Sequence, residues 1–99
     1  MNFKLIKVVK SSNPKFKLDA HFLNKKTGKI KIVRFGAGGY EDYTTHKDKE
    51  RRSRYRKRHQ KDLNTNDPLR KGYLSYYILW GDSTSINKNV SSYKKRFNL

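Results

Sequence analysis

The spacing of apolar residues along this chain changes partway through, and the change marks its two halves. From Phe3 to Val9, FKLIKVV, and from Lys15 to Leu23, KFKLDAHFL, β-favouring residues dominate, and the second run alternates strictly, with Phe16, Leu18, Ala20 and Phe22 on one side. Asn24-Lys25-Lys26-Thr27-Gly28 is a hairpin loop, after which KIKIVRF, residues 29–35, resumes the alternation with Ile30 and Ile32 expected to point inward. With Ser11-Ser12-Asn13-Pro14 turning between the first two runs, the pattern predicts a three-stranded antiparallel meander over residues 1–35. Its outer face is expected to carry Lys4, Lys7, Lys15, Lys17, Lys29 and Lys31.

A glycine-rich turn over 36–45 follows, and the helical part then runs from 46 to 99. Thr45 reads as a helix N-cap with Asp48 three residues on, predicting a helix over 46–61 whose apolar stripe is Tyr55, His59 and Leu63. Along that helix Asp48 with Arg52 and Glu50 with Arg54 stand four apart, in the favourable acid-first order. Pro68 suits a first helical position and Gly81 a stop, so LRKGYLSYYILW reads as a second helix, with Leu69, Tyr73, Tyr76 or Tyr77, and Trp80 inward and Leu74 and Ile78 broadening that face. Ser83 or Ser85 caps a third, with Ile86, Val90, Tyr93 and Phe97 on its buried face and Lys94, Lys95 and Arg96 in its last turns. Strands first and helices after predict a single α+β domain over residues 1–99, in the order β-β-β-α-α-α, with three helices packed on one sheet face.

Composition sharpens this outline. Only 33% of the 99 residues are hydrophobic, but 13% are aromatic, so a small core built on rings is feasible. The net charge is +17, from 25 Lys and Arg against 8 Asp and Glu, and it is spread along the whole chain. Self-repulsion of that size calls for an anionic partner, of which nucleic acid is the commonest. The absence of Cys rules out disulfides and thiolate metal sites, and no apolar run approaches the ~20 residues that span a bilayer.

The candidate chemistry then narrows. The cluster Gly36-Ala37-Gly38-Gly39 lacks the Lys-Ser/Thr of a Walker loop and has Glu41 and Asp42 where a phosphate would need to lie, so it is read as a strand-to-helix turn requiring φ > 0, with Gly36 and Gly39 as structural residues. His21, His46 and His59 have no spacing that makes a metal or acid–base site, and neither cofactor, metal nor catalysis is expected. The arginines are more informative. Arg51, Arg52, Arg54, Arg56 and Arg58 all fall on the first helix, whereas the sheet is basic mostly through Lys. A guanidinium grips phosphate or carboxylate with a planar fork, while an ammonium acts as a solvated point charge. The expected nucleic-acid-binding set is therefore Arg51, Arg52, Arg54, Arg56, Arg58 and Lys61, supported by Lys29, Lys31 and Arg34, with little reading of base sequence. Seven tyrosines offer a second possibility, a stacking platform for single strands, for which Tyr40, Tyr43 and Tyr76 stay open.

Phe35-Gly36, Asp42-Tyr43-Thr44, His46, Asp48, Arg51, Tyr55, Arg58-His59 and Leu79-Trp80, taken together, give residues 32–97 a further character. In that combination the segment resembles a family of small basic proteins of unknown function from giant viruses, the nucleocytoplasmic large DNA viruses. The resemblance implies a viral origin and a virion protein, present in host cytoplasm or viral factory during assembly, but no activity. It also implies a shared scaffold of Asp42, Thr44, His46, Tyr55 and His59 that joins the glycine turn to the arginine helix, and the expected structural motif is Gly36, Gly39, Asp42, Thr45, His46, Tyr55, His59 and Trp80. Two roles are compatible with it: a DNA-binding protein, or a minor capsid or core protein that cements acidic viral shell proteins or the inner membrane.

Overall fold

Alternating apolar residues with turn formers between them should yield a meander, and the computed structural model, which describes residues 2–99, contains one. Strands β1 (Phe3–Lys10), β2 (Phe16–Asn24) and β3 (Ile30–Ala37) form one antiparallel sheet in the order β1-β2-β3. Leu5 stands opposite Phe22, Val8 opposite Ala20, Val33 opposite Ala20 on the other side, and Phe35 opposite Leu18. These side chains make the sheet's contribution to the core, with Leu5, Ala20, Phe22 and Phe35 wholly buried.

Two features of the sheet depart from the expected alternation. The register of β1 against β2 shifts between Leu5 and Lys7, a bulge that leaves Ile6 exposed. In β3 the apolar residues change phase between Ile32 and Val33. Because strand periodicity is two, the phase that buries Phe35 turns Ile30 and Ile32 outward, where they are 51% and 43% exposed. Lys31, opposite Phe22, therefore stands on the core side of the sheet, although its own side chain reaches solvent. The outer face carries Lys4 and Lys7 as expected, but with Ile6, Val9, Ile30 and Ile32 beside them. Lys17 is withdrawn from the basic field by an ion pair with Asp42 at 2.5 Å.

The helical part contains four α-helices instead of three. The expected first helix is broken at Lys47, which adopts a left-handed conformation (φ 60°), giving α1 (Tyr43–His46) and α2 (Lys49–His59). Asp42, Thr45 and Asp48 are three residues apart, so the capping signals can be read in two phases. Asp42 is the N-cap of α1 with Thr45 completing its capping box, and Asp48 is the N-cap of α2, accepting from the backbone N–H groups of Glu50 and Arg51. Those N–H groups, that of Arg51 foremost, hold the Asp48 carboxyl below its ordinary pKa. A 3₁₀ turn over Gln60–Thr65 then continues the path of α2.

Pro68 opens a turn and not a helix. The Asp67 carboxylate accepts from Leu69 N–H, and α3 spans only Lys71–Leu74 before widening into a π-helical turn, Ser75–Leu79. Leu69, Tyr73, Leu74 and Ile78 are buried as expected, while the wide turn also buries Leu79 and leaves Trp80 partly covered, its N–H donating to Ser75 C=O. Helix α4 (Ile86–Phe97) starts at Ser85 and packs Tyr93 into the core, with Ile86, Val90 and Phe97 partly buried around it. The Tyr93 hydroxyl donates to Pro68 C=O at 2.5 Å, and burial raises its pKa. No helix among the described residues is long and apolar enough to cross a membrane.

One buried amide joins the π turn to α4. The Asn89 side chain donates to the carbonyls of Ile78 and Ser83 at 2.8 Å each and accepts from Ser83 N–H at 3.1 Å. Truncation strands buried groups that each cost about 1–3 kcal/mol when unpaired. Asn89→Ala is therefore expected to lower unfolding stability by about 3 kcal/mol in urea titration. Asn87→Ala, on the exposed side of the same helix, should change it by less than about 0.5 kcal/mol.

Candidate functional site

Helix α2 has no fully buried residue, yet four of its side chains are partly covered: Arg52, Tyr55, Arg56 and His59. Their spacing, i, i+3, i+4 and i+7, makes one stripe against the body. The expected stripe held Tyr55 and His59 but assigned both arginines to solvent. Arg56 donates from Nε to Trp80 C=O at 2.8 Å and from its Nη2 to the Asp82 carboxylate at 3.0 Å. Arg52 reaches the carbonyls of Gly81 and Asp82 at 3.3 Å and lies 4.6 Å above the Tyr43 ring. The Arg56 hydrogen bond holds the Asp82 carboxyl below its ordinary pKa. Arg52 and Arg56 thus fasten α2 to the loop at 80–82, so these two members of the expected anion-binding set have partners within the molecule.

The remaining arginines of α2 occupy the neighbouring side. At about 100° per residue, Arg51, Arg54 and Arg58 fall within a sector of about 60° that borders the covered stripe at Tyr55. Arg54 is 3.8 Å from Glu50 and Arg51 is 3.9 Å from Glu41, both pairs in solvent, where such contacts contribute little. Neither Arg58 nor Lys61 has a hydrogen-bond or ion-pair partner among the described residues. Of the supporting set, Lys29 and Lys31 are exposed. Arg34 is instead engaged internally, its Nε 3.6 Å from Asp19 and its Nη2 donating to the Ser12 hydroxyl. Asp19 is buried, which raises its carboxyl pKa, but hydrogen bonds from Ser11 and Ser12 and the Arg34 charge outweigh that and lower it.

The expected scaffold residues come together as a column of rings. His59 stacks on Tyr55, and Tyr55 on Trp80, each with centroids 4.2 Å apart; His46 lies 5.2 Å beyond Trp80. His46 Nδ1 accepts from Asp48 N–H, and His59 Nδ1 is 3.0 Å from Asp62. Burial within the column pushes the Tyr55 hydroxyl up to about 12. Gly36 (φ 79°) and Gly39 (φ 85°) form the turn above it, and a Cβ at Gly36 would lie 2.5 Å from the Leu79 side chain. The turn delivers Asp42, which is 2% exposed and accepts from the Thr44 hydroxyl and from Lys17.

Between the glycine turn and α2 lies a cleft of about 420 Å³. Arg51, Tyr55, Arg58 and His59 of α2 line it together with Tyr40, Glu41 and Asp42 of the turn segment, Lys17, Leu79 and Trp80. No group of three or more His, Asp or Glu that could hold a metal occurs among the described residues. The inward turn of Arg52 and Arg56 was visible only in their spacing with Tyr55 and His59, since a guanidinium carries no apolar signal. Lys17 and Asp82, distant in sequence from the residues they hold, had no local signal.

The division of the arginines predicts unequal mutational effects. Arg56→Ala removes two hydrogen bonds, one to a carboxylate, and is expected to cost about 2 kcal/mol of stability. Arg54→Ala should stay within about 0.5 kcal/mol, both measured by urea unfolding.

No curated protein and no solved structure matches the chain. A family profile described as a family of unknown function, DUF5754, matches residues 6–59, from within β1 to the last residue of α2. Since that match covers more than half of the 99 residues and holds the sheet, the glycine turn and the arginine helix, the chain belongs to the DUF5754 family.

Proposed function

We propose that the protein is a non-enzymatic nucleic-acid-binding protein that neutralises phosphates with the outer side of α2, through Arg51, Arg54 and Arg58, with Lys61 in the following 3₁₀ turn. The observation that carries this reading is the way α2 sorts its guanidinium groups. Arg52 and Arg56 are bound to carbonyls and a carboxylate, while Arg51, Arg54 and Arg58 share a sector with only weak, solvent-exposed partners. Had the helix been basic merely for solubility, mixed Lys and Glu would suffice, and forks suited to phosphate would have no use. The chain's charge of +17 adds a long-range attraction to any polyanion. The resemblance to giant-virus proteins makes viral DNA the polyanion it would meet, and the virion the place of meeting.

A second reading rests on the outer face of the sheet. Ile6, Val9, Ile30 and Ile32 are exposed on the outer sheet face beside Lys4 and Lys7, a surface suited to an acidic protein of a viral shell. A second copy of the same chain is disfavoured there by its own charge. Retention with the shell of particles whose genome has been removed by nuclease and salt would favour this role over the first.

Four phosphate contacts give an expected slope of about −3.6 for log K against log salt, and a loss of about a hundredfold in affinity for duplex DNA between about 50 and 200 mM. Fluorescence anisotropy across that range tests it, and binding that is flat in salt contradicts it. Arg54→Glu with Arg58→Glu should weaken binding by at least about fiftyfold and leave the circular dichroism spectrum unchanged, since both side chains lie in solvent.

A further inference from the structure

The cleft beside the free arginines is not needed to bind a duplex, whose phosphates could lie along α2 without entering it. Its composition calls for a different explanation. With a volume of about 420 Å³ it falls at the small end of ligand pockets, enough for one nucleotide and far too small for a double helix. Arg51 and Arg58 lie on the same side of it, seven residues and so about 10 Å apart along the helix. The same lining includes Tyr40, which follows the glycine turn and is the most exposed large hydrophobic side chain of the described residues at 74%. A ring this exposed contributes nothing to the core, unlike Tyr43, Tyr73 and Tyr93, which are buried.

The electrostatics of the cleft also differ from what the sequence suggests. Glu41 and Asp42 ought to repel a phosphate. Asp42, however, is buried and neutralised by Lys17, so its charge is spent within the fold. Glu41 is 63% exposed and touches Arg51 only at 3.9 Å, a contact that an incoming phosphate can displace at little cost. Besides Glu41, the cleft then offers two guanidinium groups, the exposed Tyr40 ring, and a lining that includes Tyr55, His59 and Trp80.

We propose that this cleft takes one unpaired nucleotide of a nucleic-acid strand, its base against Tyr40 and the aromatic lining, and its flanking phosphates on Arg51 and Arg58. The assignment rests on the phosphate-binding reading of α2 and makes it specific: the protein prefers single strands, or the frayed and unpaired positions of a duplex. Base–aromatic stacking tolerates any base, so the preference is for strandedness and not for sequence.

Counterion release alone points the other way, because duplex DNA has the greater charge density and the steeper salt response. A preference for the single strand therefore reports on stacking. The test compares a twelve-nucleotide oligothymidylate with a duplex of equal phosphate number, on the wild-type protein and on Tyr40→Ala, which removes an exposed side chain and should leave the fold intact. Trp80, the only tryptophan, supplies a fluorescence signal from the cleft itself. The wild type is expected to bind the oligothymidylate about tenfold more tightly than the duplex, with a change in Trp80 emission on the single strand only. Tyr40→Ala should lose about tenfold for the single strand and nothing for the duplex. Equal affinity for the two forms, or a preference that survives Tyr40→Ala, overturns the cleft assignment while leaving the phosphate reading of α2 in place. Failure to bind either form overturns both.

Discussion

The guanidinium of Arg56 bridges two elements that aliphatic burial does not join. One nitrogen reaches the Trp80 carbonyl and another the Asp82 carboxylate, so the helix richest in charge is held to the loop that follows the π turn by hydrogen bonds to charged groups. Arg52 repeats the contact one turn earlier. Since α2 buries no residue completely, these bonds and the stack of Tyr55 on Trp80 fix its angle to the body. Such bonds are stronger than those between neutral groups, which offsets the scarcity of apolar residues in this helix. A chain only 33% hydrophobic thus uses part of its own charge as cement.

The rest of the site follows from that attachment. With α2 fixed, its covered stripe and its free arginines must lie on adjacent sides, and the border between them falls at Tyr55. The π turn brings Trp80 against Tyr55, and at Gly36, whose φ is positive, a Cβ would press on the Leu79 side chain at 2.5 Å. The space left between turn and helix is the cleft, with Arg51 and Arg58 at its edge. Phosphate binding on α2 and nucleotide binding in the cleft are thus two proposed uses of one geometry, set by the same anchoring contacts.

Much of the fold could be read from residue spacing. The meander was legible because β2 alternates without interruption and its loops hold Pro14 and Gly28. The phase of β3 was not, because Ile30 and Ile32 on one side and Val33 and Phe35 on the other both offer apolar faces, and only the pairing with Leu18 and Ala20 decides between them. The break at Lys47 was hidden for a similar reason: Asp42, Thr45 and Asp48 repeat every three residues, and a cap placed one step late merges two helices into one. The π turn inserts a residue that helical periodicity cannot anticipate, so Leu79 is buried beside the expected Leu69, Tyr73, Leu74 and Ile78, while Trp80 is only partly covered. At the site, the ring residues and the arginines were named, but their division was not. Spacing identifies which residues share a stripe, whereas the acceptors that claim Arg52 and Arg56 lie at 80–82, in another part of the chain.

The central claim is that α2 holds two classes of arginine, one bound inside the molecule and one free for an anion. Side-chain Nε NMR of arginine, recorded with and without an oligonucleotide, separates them most directly. The account predicts that the Arg56 Nε–H exchanges slowly with solvent and keeps its shift on titration, while those of Arg51, Arg54 and Arg58 exchange fast and move together. Uniform exchange and uniform shifts across the helix would contradict it.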